Sequence, residues 1–196
     1  MQKHATVRIG SLAAGLALAC TTVTGLAPAA QAAPPADRAA HSQVAVAAVP
    51  APDLAFLLAA HDGNVNEITA GRLALEKATD PQVRQLAALF IEHHTMLEQR
   101  GAAVAAALGV TIPDQLTPQT QRELDFLRSL PAGPVFDRMW SVQQLNSHGR
   151  AMKAGQLELA TGQEPAVRAL AAEAAPYIEQ HYAALVPTAT RLVTGR

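Results

Sequence analysis

Four long segments of this chain space their apolar residues three and four positions apart, a spacing that lines one face of an α-helix. In the first segment these residues are Leu54, Leu58, Val65, Ile68 and Leu75. Aromatic residues make up only 4% of the chain, and its abundant alanines favour close packing between helices over a sandwich of strands. The sequence therefore predicts an all-α protein.

Proline and glycine mark the ends of these segments. The four helices are expected at Asp53, as the N-cap residue, to about Thr79, Pro81 to about Leu108, about Pro134 to Thr161, and Glu164 to about Val193. Asp80 and Pro81 separate the first two helices, because aspartate caps a helix well and proline suits its first position. Pro176 lies inside the last helix, where a kink is expected.

A long connection, from Gly109 to about Gly133, joins the second long helix to the third. It contains a short helix that Thr117 and Pro118 open, with an apolar side formed by Leu124, Leu127 and Leu130. Such a link lets the second and third long helices lie parallel, as in the single crossover of ferritin-like bundles, whereas an up-and-down bundle needs no such length. We predict a ferritin-like four-helix bundle over residues 53–193.

Residues 1–32 have the features of a signal peptide. Lys3 and Arg8 supply the positive start, residues 9–26 supply the apolar stretch, and Ala30-Gln31-Ala32 supplies a small-x-small cleavage pattern. A retained membrane helix is the alternative, but three threonines and a glycine dilute the apolar run. The mature protein is expected to be secreted or periplasmic, with residues 33–52 as a flexible leader rich in alanine and proline.

Cleavage of this segment has two consequences. Cys20, the one cysteine, would leave with it, so the mature chain has no disulfide and no thiol nucleophile. A lipid anchor on Cys20 is disfavoured, because Ala17 stands where a lipoprotein signal carries a branched residue. Of the 15 basic residues, Lys3 and Arg8 also leave, whereas all 16 acidic residues stay. The resulting acidic surface offers no electrostatic case for binding nucleic acid.

Each long helix carries one candidate metal ligand near its centre. These candidates are Glu67, His94, His148 and His181. His94 and His181 lie on the apolar stripes of their helices, so their imidazoles should point into the bundle. At a rise of 1.5 Å per residue, the four differ in height by at most roughly 4.5 Å. The four side chains are therefore expected to meet.

Imidazole nitrogens and carboxylate oxygens bind zinc, copper or iron, and helix bundles build metal sites from inward residues on facing helices. We therefore predict one transition-metal ion at mid-bundle. A di-iron ferroxidase centre is disfavoured, because Ile91 and Ile178 stand three residues before His94 and His181 where that centre carries glutamates. Asn64, Asp137, Gln144 and Tyr177 are candidates to orient the imidazoles by hydrogen bonds. For Asp137 an equal alternative is a first-turn charge on the third long helix.

Two other candidate histidines are expected to lie outside the site. His93 points about 100° away from His94 around the helix, so it is expected at the rim or in solvent. His61 lies roughly 9 Å along the helix axis from Glu67, too far to share an ion with it.

A second interpretation treats the buried histidines as structural. Any single histidine on an apolar helix face is more often a hydrogen-bonded core residue than a ligand. A buried polar network of this kind would fix the register of the helices, in a non-catalytic envelope protein that acts through its surface. The sequence shows no nucleophile elbow, phosphate-binding glycine loop, dinucleotide fingerprint or zincin motif. A metal-dependent oxidoreductase stays an open option.

The chain resembles the domain-of-unknown-function 4142 family, exported bacterial proteins grouped with the ferritin-like fold. The resemblance covers about residues 53–187 and rests on Asn64, Glu67, Gly71-x-x-Ala74, Glu92-His93-His94-Thr95, Phe136-Asp137-Arg138, His148, Pro176 and His181. The family usually has an aspartate immediately before its second-helix histidine, where this chain has His93. The resemblance implies the fold and export, and it assigns no activity.

Overall fold

The computed structural model describes residues 48–195, which form five helices and no strand. They are α1 (Ala51–Lys77), α2 (Pro81–Ala107), α3 (Pro118–Ser129), α4 (Pro134–Thr161) and α5 (Pro165–Thr194). The predicted all-α class is confirmed, and the predicted boundaries are close to those observed. α5 continues through both Pro176 and Pro187. The predicted signal segment, Cys20 and most of the predicted leader lie outside the described residues.

The four long helices form a bundle with one crossover. The pairs α1–α2 and α4–α5 are hairpins, α1 packs on α4, and α2 packs on α5. The start of α4 meets the end of α1, where Gly133 N donates to Lys77 O at 3.0 Å. The start of α2 meets the end of α5 through the Arg191–Asp80 ion pair. Therefore α2 and α4 are parallel and diagonal, and α3 belongs to the connection between them, as the ferritin-like prediction requires.

Asp137 binds the turn between α1 and α2 by hydrogen bonds and does not orient a histidine. Its buried carboxylate accepts hydrogen bonds from Thr79 N at 3.0 Å, Thr79 Oγ1 at 2.7 Å and Asp80 N at 3.0 Å. The predicted role of Asp137 beside the metal ligands is therefore wrong. The physical reason is its place in the first turn of α4, at the end of the bundle, three turns of helix from His148.

Asp53 accepts backbone hydrogen bonds from the other interhelical turn, at the opposite end of the bundle. It accepts hydrogen bonds from Gln163 N at 3.0 Å and Glu164 N at 2.7 Å, in the turn between α4 and α5. The prediction that Asp53 caps its own helix is wrong, because α1 begins earlier, at Ala51. Asp53 and Asp137 precede the prolines that open α2 and α5 by the same number of residues. The two hairpins are thus related by an approximate two-fold repeat.

The interior of the bundle has three layers. An apolar cluster at one end contains Phe90 stacked on Trp140, whose ring centroids are 5.8 Å apart. A smaller cluster at the other end contains Leu57, Val167 and Leu170. Between them lies a layer of buried polar side chains: Asn64, Glu67, His94, Gln144, Ser147, His148 and His181. Burying so many polar groups is costly unless they are partnered or bind a ligand, so this middle layer is the candidate functional region of the bundle.

The hairpin of α1 and α2 packs closely at Gly71, which gives a first prediction. A Cβ atom at Gly71 would lie 2.8 Å from Ile91 Cγ1 and 3.1 Å from Ala87 O. Gly71→Ala should therefore lower the free energy of unfolding by about 1–3 kcal/mol, the usual cost of overpacking. Gly63→Ala on the same helix is the control, because its Cβ would meet nothing within 4 Å. This control should gain about 0.5–1 kcal/mol. Urea unfolding measures the free energy of unfolding of both variants. Equal changes in the two would contradict the close approach of α2 to Gly71.

None of the helices in residues 48–195 combines the length and the hydropathy that a membrane span requires.

Candidate metal centre

Three histidines from three different helices converge in the polar middle layer. His94 lies on α2, His148 on α4 and His181 on α5, and all three are buried. Their ring centroids form a nearly equilateral triangle, with sides of 5.2, 5.3 and 5.5 Å. One nitrogen from each ring lies within 4.8 Å of the other two. Nitrogens bound to one tetrahedral zinc at about 2.0–2.1 Å are about 3.3 Å apart, so a modest inward shift would complete the site.

Phe90 forms the floor of this triangle. Its ring centroid lies 4.4 Å from that of His181, 4.8 Å from that of His148 and 6.3 Å from that of His94. Phe90 in turn stacks on Trp140, whose indole Nε1 donates to Ala70 O at 2.9 Å. The aromatic floor fixes the three rings from one side and keeps water away from them.

The hydrogen bonds of the imidazoles define which nitrogens carry lone pairs. His148 Nδ1 is 2.9 Å from Gln144 O, and a carbonyl oxygen only accepts, so Nδ1 is protonated and Nε2 has the lone pair. His94 Nδ1 is 2.9 Å from Asn64 Oδ1, which leaves a lone pair on His94 Nε2 as well. His94 Nε2 is buried and has no hydrogen-bond partner. Buried polar atoms usually have a hydrogen-bond partner, so a buried nitrogen without one is consistent with a metal-binding role.

His181 completes the set with support from His93. His181 Nδ1 lies 3.1 Å from His148 Nε2, and His181 Nε2 lies 2.8 Å from His93 Nδ1. The rings of His93 and His181 are nearly parallel, at 7°, with centroids 5.1 Å apart. With an ion at His181 Nδ1, His181 Nε2–H would donate to His93 Nδ1. Each of the three ligands would then have its second nitrogen held by a hydrogen bond, as metal-binding histidines usually do.

Burial keeps these imidazoles neutral. Desolvation lowers the pKa of His148 to about 4. Desolvation first, and then the neighbouring His148 and His93, lower the pKa of His181 to about 3. The pKa of His94 is also held well below its ordinary value, first by burial and then by the charges of the surrounding histidines. Neutral imidazole is the form that binds metal ions.

Glu67 is not brought into the ligand cluster, contrary to the prediction. Glu67 Oε1 lies 3.7 Å from His148 Nδ1, the nitrogen on the far side of the ring from Nε2. With its amide turned so that nitrogen faces the carboxyl group, Gln144 donates to Glu67 Oε1 at 3.0 Å. Burial raises the pKa of Glu67 to about 8, so it is neutral at pH 7. The α1 helix therefore contributes a protonated carboxyl group behind His148, because an anion buried there would be costly.

The other residues predicted to orient the imidazoles differ in what they contact. Asn64 contacts His94 directly, and its Nδ2 donates to Glu98 Oε2 at 3.4 Å. Glu98 also pairs with His61 Nδ1 at 2.6 Å, so His61 is linked to the cluster only through other residues. Gln144 supports His148 with its backbone oxygen. Tyr177 contacts the edge of the His93 ring, with centroids 4.8 Å apart.

His93 is the residue that sequence reasoning missed. It was expected at the rim or in solvent, and it is half-buried with a direct hydrogen bond to His181. The available signal was the family resemblance, which implies an aspartate at this position, and aspartate is a common partner for a metal-binding histidine.

A cavity of about 510 Å³ adjoins the cluster, with His94, His148 and Glu67 among its lining residues. Most of its wall is apolar and comes from α1, α4 and α5. Exposed lining residues such as Gln119 and Arg150 mark the side on which the cavity meets solvent. The cavity therefore joins the outside of the protein to the side of the cluster formed by His94 and His148.

Comparisons with known proteins agree with this architecture. A crystal structure of a DUF305 fragment from Deinococcus radiodurans is similar to this chain with a TM-score of 0.64 and 16% sequence identity. The match covers 73% of this chain and 98% of that one, and at this identity it shows the fold alone. No curated protein matches the sequence. The family model described as a domain of unknown function, DUF4142, matches residues 38–186, so the chain belongs to the DUF4142 family.

Proposed function

We propose that this protein binds one transition-metal ion through His94, His148 and His181. The observation that carries the proposal is the set of three buried nitrogens within 4.8 Å of one another, one from each of three helices. The orphaned lone pair of His94 Nε2 supports it, because a purely structural network would be expected to satisfy that atom. Three imidazole ligands suit zinc, copper or iron, and the donor set alone does not select among them.

The ligands leave room for a further group on the ion. Three protein ligands and one exchangeable position are typical of reactive zinc sites, whereas closed four-ligand sites are structural. Here Glu67 stays behind His148 and does not supply the fourth ligand. We place the protein outside the cytoplasm on the strength of the signal-peptide pattern in residues 1–32. Sequestration, sensing and redox chemistry are all compatible with such a site.

Metal analysis tests the proposal directly. Protein purified without a metal-affinity tag and then dialysed with zinc should retain close to one ion per chain by elemental analysis. The double variant His94→Ala/His181→Ala should retain almost none. His61→Ala is the matched control, since it removes a half-buried histidine outside the cluster, and it should bind like the wild type. Equal, substoichiometric metal in all three proteins would favour the non-catalytic bundle with structural histidines.

The low pKa values predict unusual acid resistance of the bound metal. Protons compete for a ligand only near or below the pKa of that ligand in the metal-free protein. Because burial lowers the pKa of His148 to about 4 and that of His181 to about 3, zinc should stay bound at pH 5.5 and leave only as the pH approaches 4. Equilibrium dialysis over a pH series measures this, and half-release near pH 6.5 would contradict it.

The same pKa values make circular dichroism a necessary control in that series. The unfolded chain takes up protons on these histidines below about pH 6.5, whereas the metal-free folded protein does not until its lower pKa values are reached. These histidines therefore do not lower the free energy of unfolding of the metal-free protein above pH 6.5. Below that pH they lower it progressively as the pH falls. Zinc release counts as ligand protonation only where the helical signal is retained.

A further inference from the structure

We infer that the cavity beside the cluster binds a small molecule that has an apolar body and one lone-pair donor, with the donor occupying the open position on the metal. This inference rests on the proposed metal site and adds a ligand class to it. The cavity volume of about 510 Å³ lies within the usual range of small-molecule sites. His94 and His148, two of the three ligands, line the cavity, whereas His181 does not.

The composition of the wall selects the body of the ligand. Leu97 on α2, Ala154 on α4, and Ala174 and Ile178 on α5 are among its apolar lining residues. Of the lining residues with ionisable carboxyl or guanidinium groups, Asp62, Arg150 and Glu179 lie where the chain is partly or fully exposed to solvent, and Glu67 is buried behind His148. A ligand that reaches the histidines must therefore leave water for an apolar wall, which favours an uncharged, largely apolar body.

Two buried atoms select the polar part of the ligand. His94 Nε2 and Asn66 Oδ1 both belong to lining residues, and neither has a hydrogen-bond partner. His94 Nε2 is satisfied by the metal, and the amide oxygen of Asn66 accepts a hydrogen bond. A ligand with one nitrogen lone pair for the metal and one N–H for Asn66 Oδ1 would satisfy both requirements. Neutral imidazoles have both groups on one ring.

Two glycines allow the cavity to be filled without disturbing the ligands. Gly63 on α1 and Gly155 on α4 both line it, and a Cβ atom at either position would meet nothing within 4 Å. Gly155→Leu and Gly63→Leu therefore place apolar bulk in the cavity from two different helices. Ala160→Leu, an exposed position of α4 outside the cavity wall, is the matched control.

The experiment uses the full chain loaded with Co²⁺, whose visible spectrum reports its ligands, titrated with imidazole and with 4-phenylimidazole. Both probes should change the cobalt bands, and 4-phenylimidazole should bind at least tenfold more tightly because its phenyl ring is buried in the cavity. Gly155→Leu and Gly63→Leu should each reduce this preference severalfold or abolish it, whereas Ala160→Leu should keep it.

The possible failures are distinguishable. If no cobalt bands develop in the folded wild type, the metal site itself is wrong and the inference falls with it. If cobalt binds and neither probe changes its bands, the metal proposal stands and the ligand inference is overturned. Equal affinity of the two probes, or a preference that survives in both cavity-filling variants, would also overturn the inference.

Discussion

Zinc should raise the melting temperature of the metal-free protein by about 5–10 °C. An ion that binds only the folded state stabilises it by about 2.7 kcal/mol when free metal is 100 times its dissociation constant. In a domain of this size each kcal/mol corresponds to roughly 2–4 °C. The effect should be large because the unfolded chain cannot bring together residues from α2, α4 and α5, which are far apart in sequence. Thermal unfolding followed by circular dichroism, with and without zinc, measures the shift.

A double variant separates coordination from packing in this experiment. His94→Leu/His181→Leu removes two ligands and leaves side chains of comparable bulk beside Phe90. Its own melting temperature can move in either direction, because it loses hydrogen bonds to Asn64 and His93 and gains apolar contacts. Zinc, however, should leave that temperature unchanged. A shift of the same size in the variant, or no shift in the wild type, would contradict coordination by the three histidines.

The fold could be predicted from the sequence because its signals are local and repeated. Proline at the start of α2, α4 and α5 gave the helix starts, and the long link with its own capped helix indicated the crossover. These features act within a few residues, where propensity and capping are strongest. The early start of α1 was missed, since Asp53 looks like a capping residue when only its neighbours in sequence are considered.

The candidate site was predicted less completely, since its details depend on distances across the bundle. Helical spacing indicated that His94 and His181 face inward and that His148 lies at a similar height. It could not show that Glu67 lies behind His148, because periodicity orients a side chain around its own helix and does not give its distance from side chains on other helices. His93 lies off the apolar stripe, yet the neighbouring α5 brings His181 against it. Contacts between helices of this kind are set by packing rather than by local pattern.

The role of Asp137 could have been predicted from an internal repeat of the sequence, without reference to the histidines. Asp53 and Asp137 occupy equivalent positions in two hairpins, each at the same number of residues before a proline. Each accepts backbone hydrogen bonds from the turn of the other hairpin. Aligning the first hairpin with the second would have shown a reciprocal capping pair, and the structural role follows from that symmetry.

Asp137→Ala should therefore lower the free energy of unfolding by about 3–5 kcal/mol. The carboxylate accepts hydrogen bonds from Thr79 N, Thr79 Oγ1 and Asp80 N, and each bond to a charged group contributes about 1.5–3 kcal/mol without strict additivity. The variant also leaves part-buried backbone N–H groups without an acceptor. Urea unfolding should show this loss, and Asp125→Ala, which removes an exposed carboxylate, should cost under about 1 kcal/mol.

Asp137→Asn decides whether this aspartate acts on the fold or on the metal. Asparagine keeps one acceptor oxygen and loses the charge, so it should cost roughly half as much stability as alanine. If Asp137 only joins the hairpins, the zinc affinity of folded Asp137→Asn protein at 10 °C should equal that of the wild type. An aspartate that orients an imidazole would instead cost 10–100-fold in affinity. A loss of that size, with little change in stability, would overturn the assignment of Asp137 to the turn between α1 and α2.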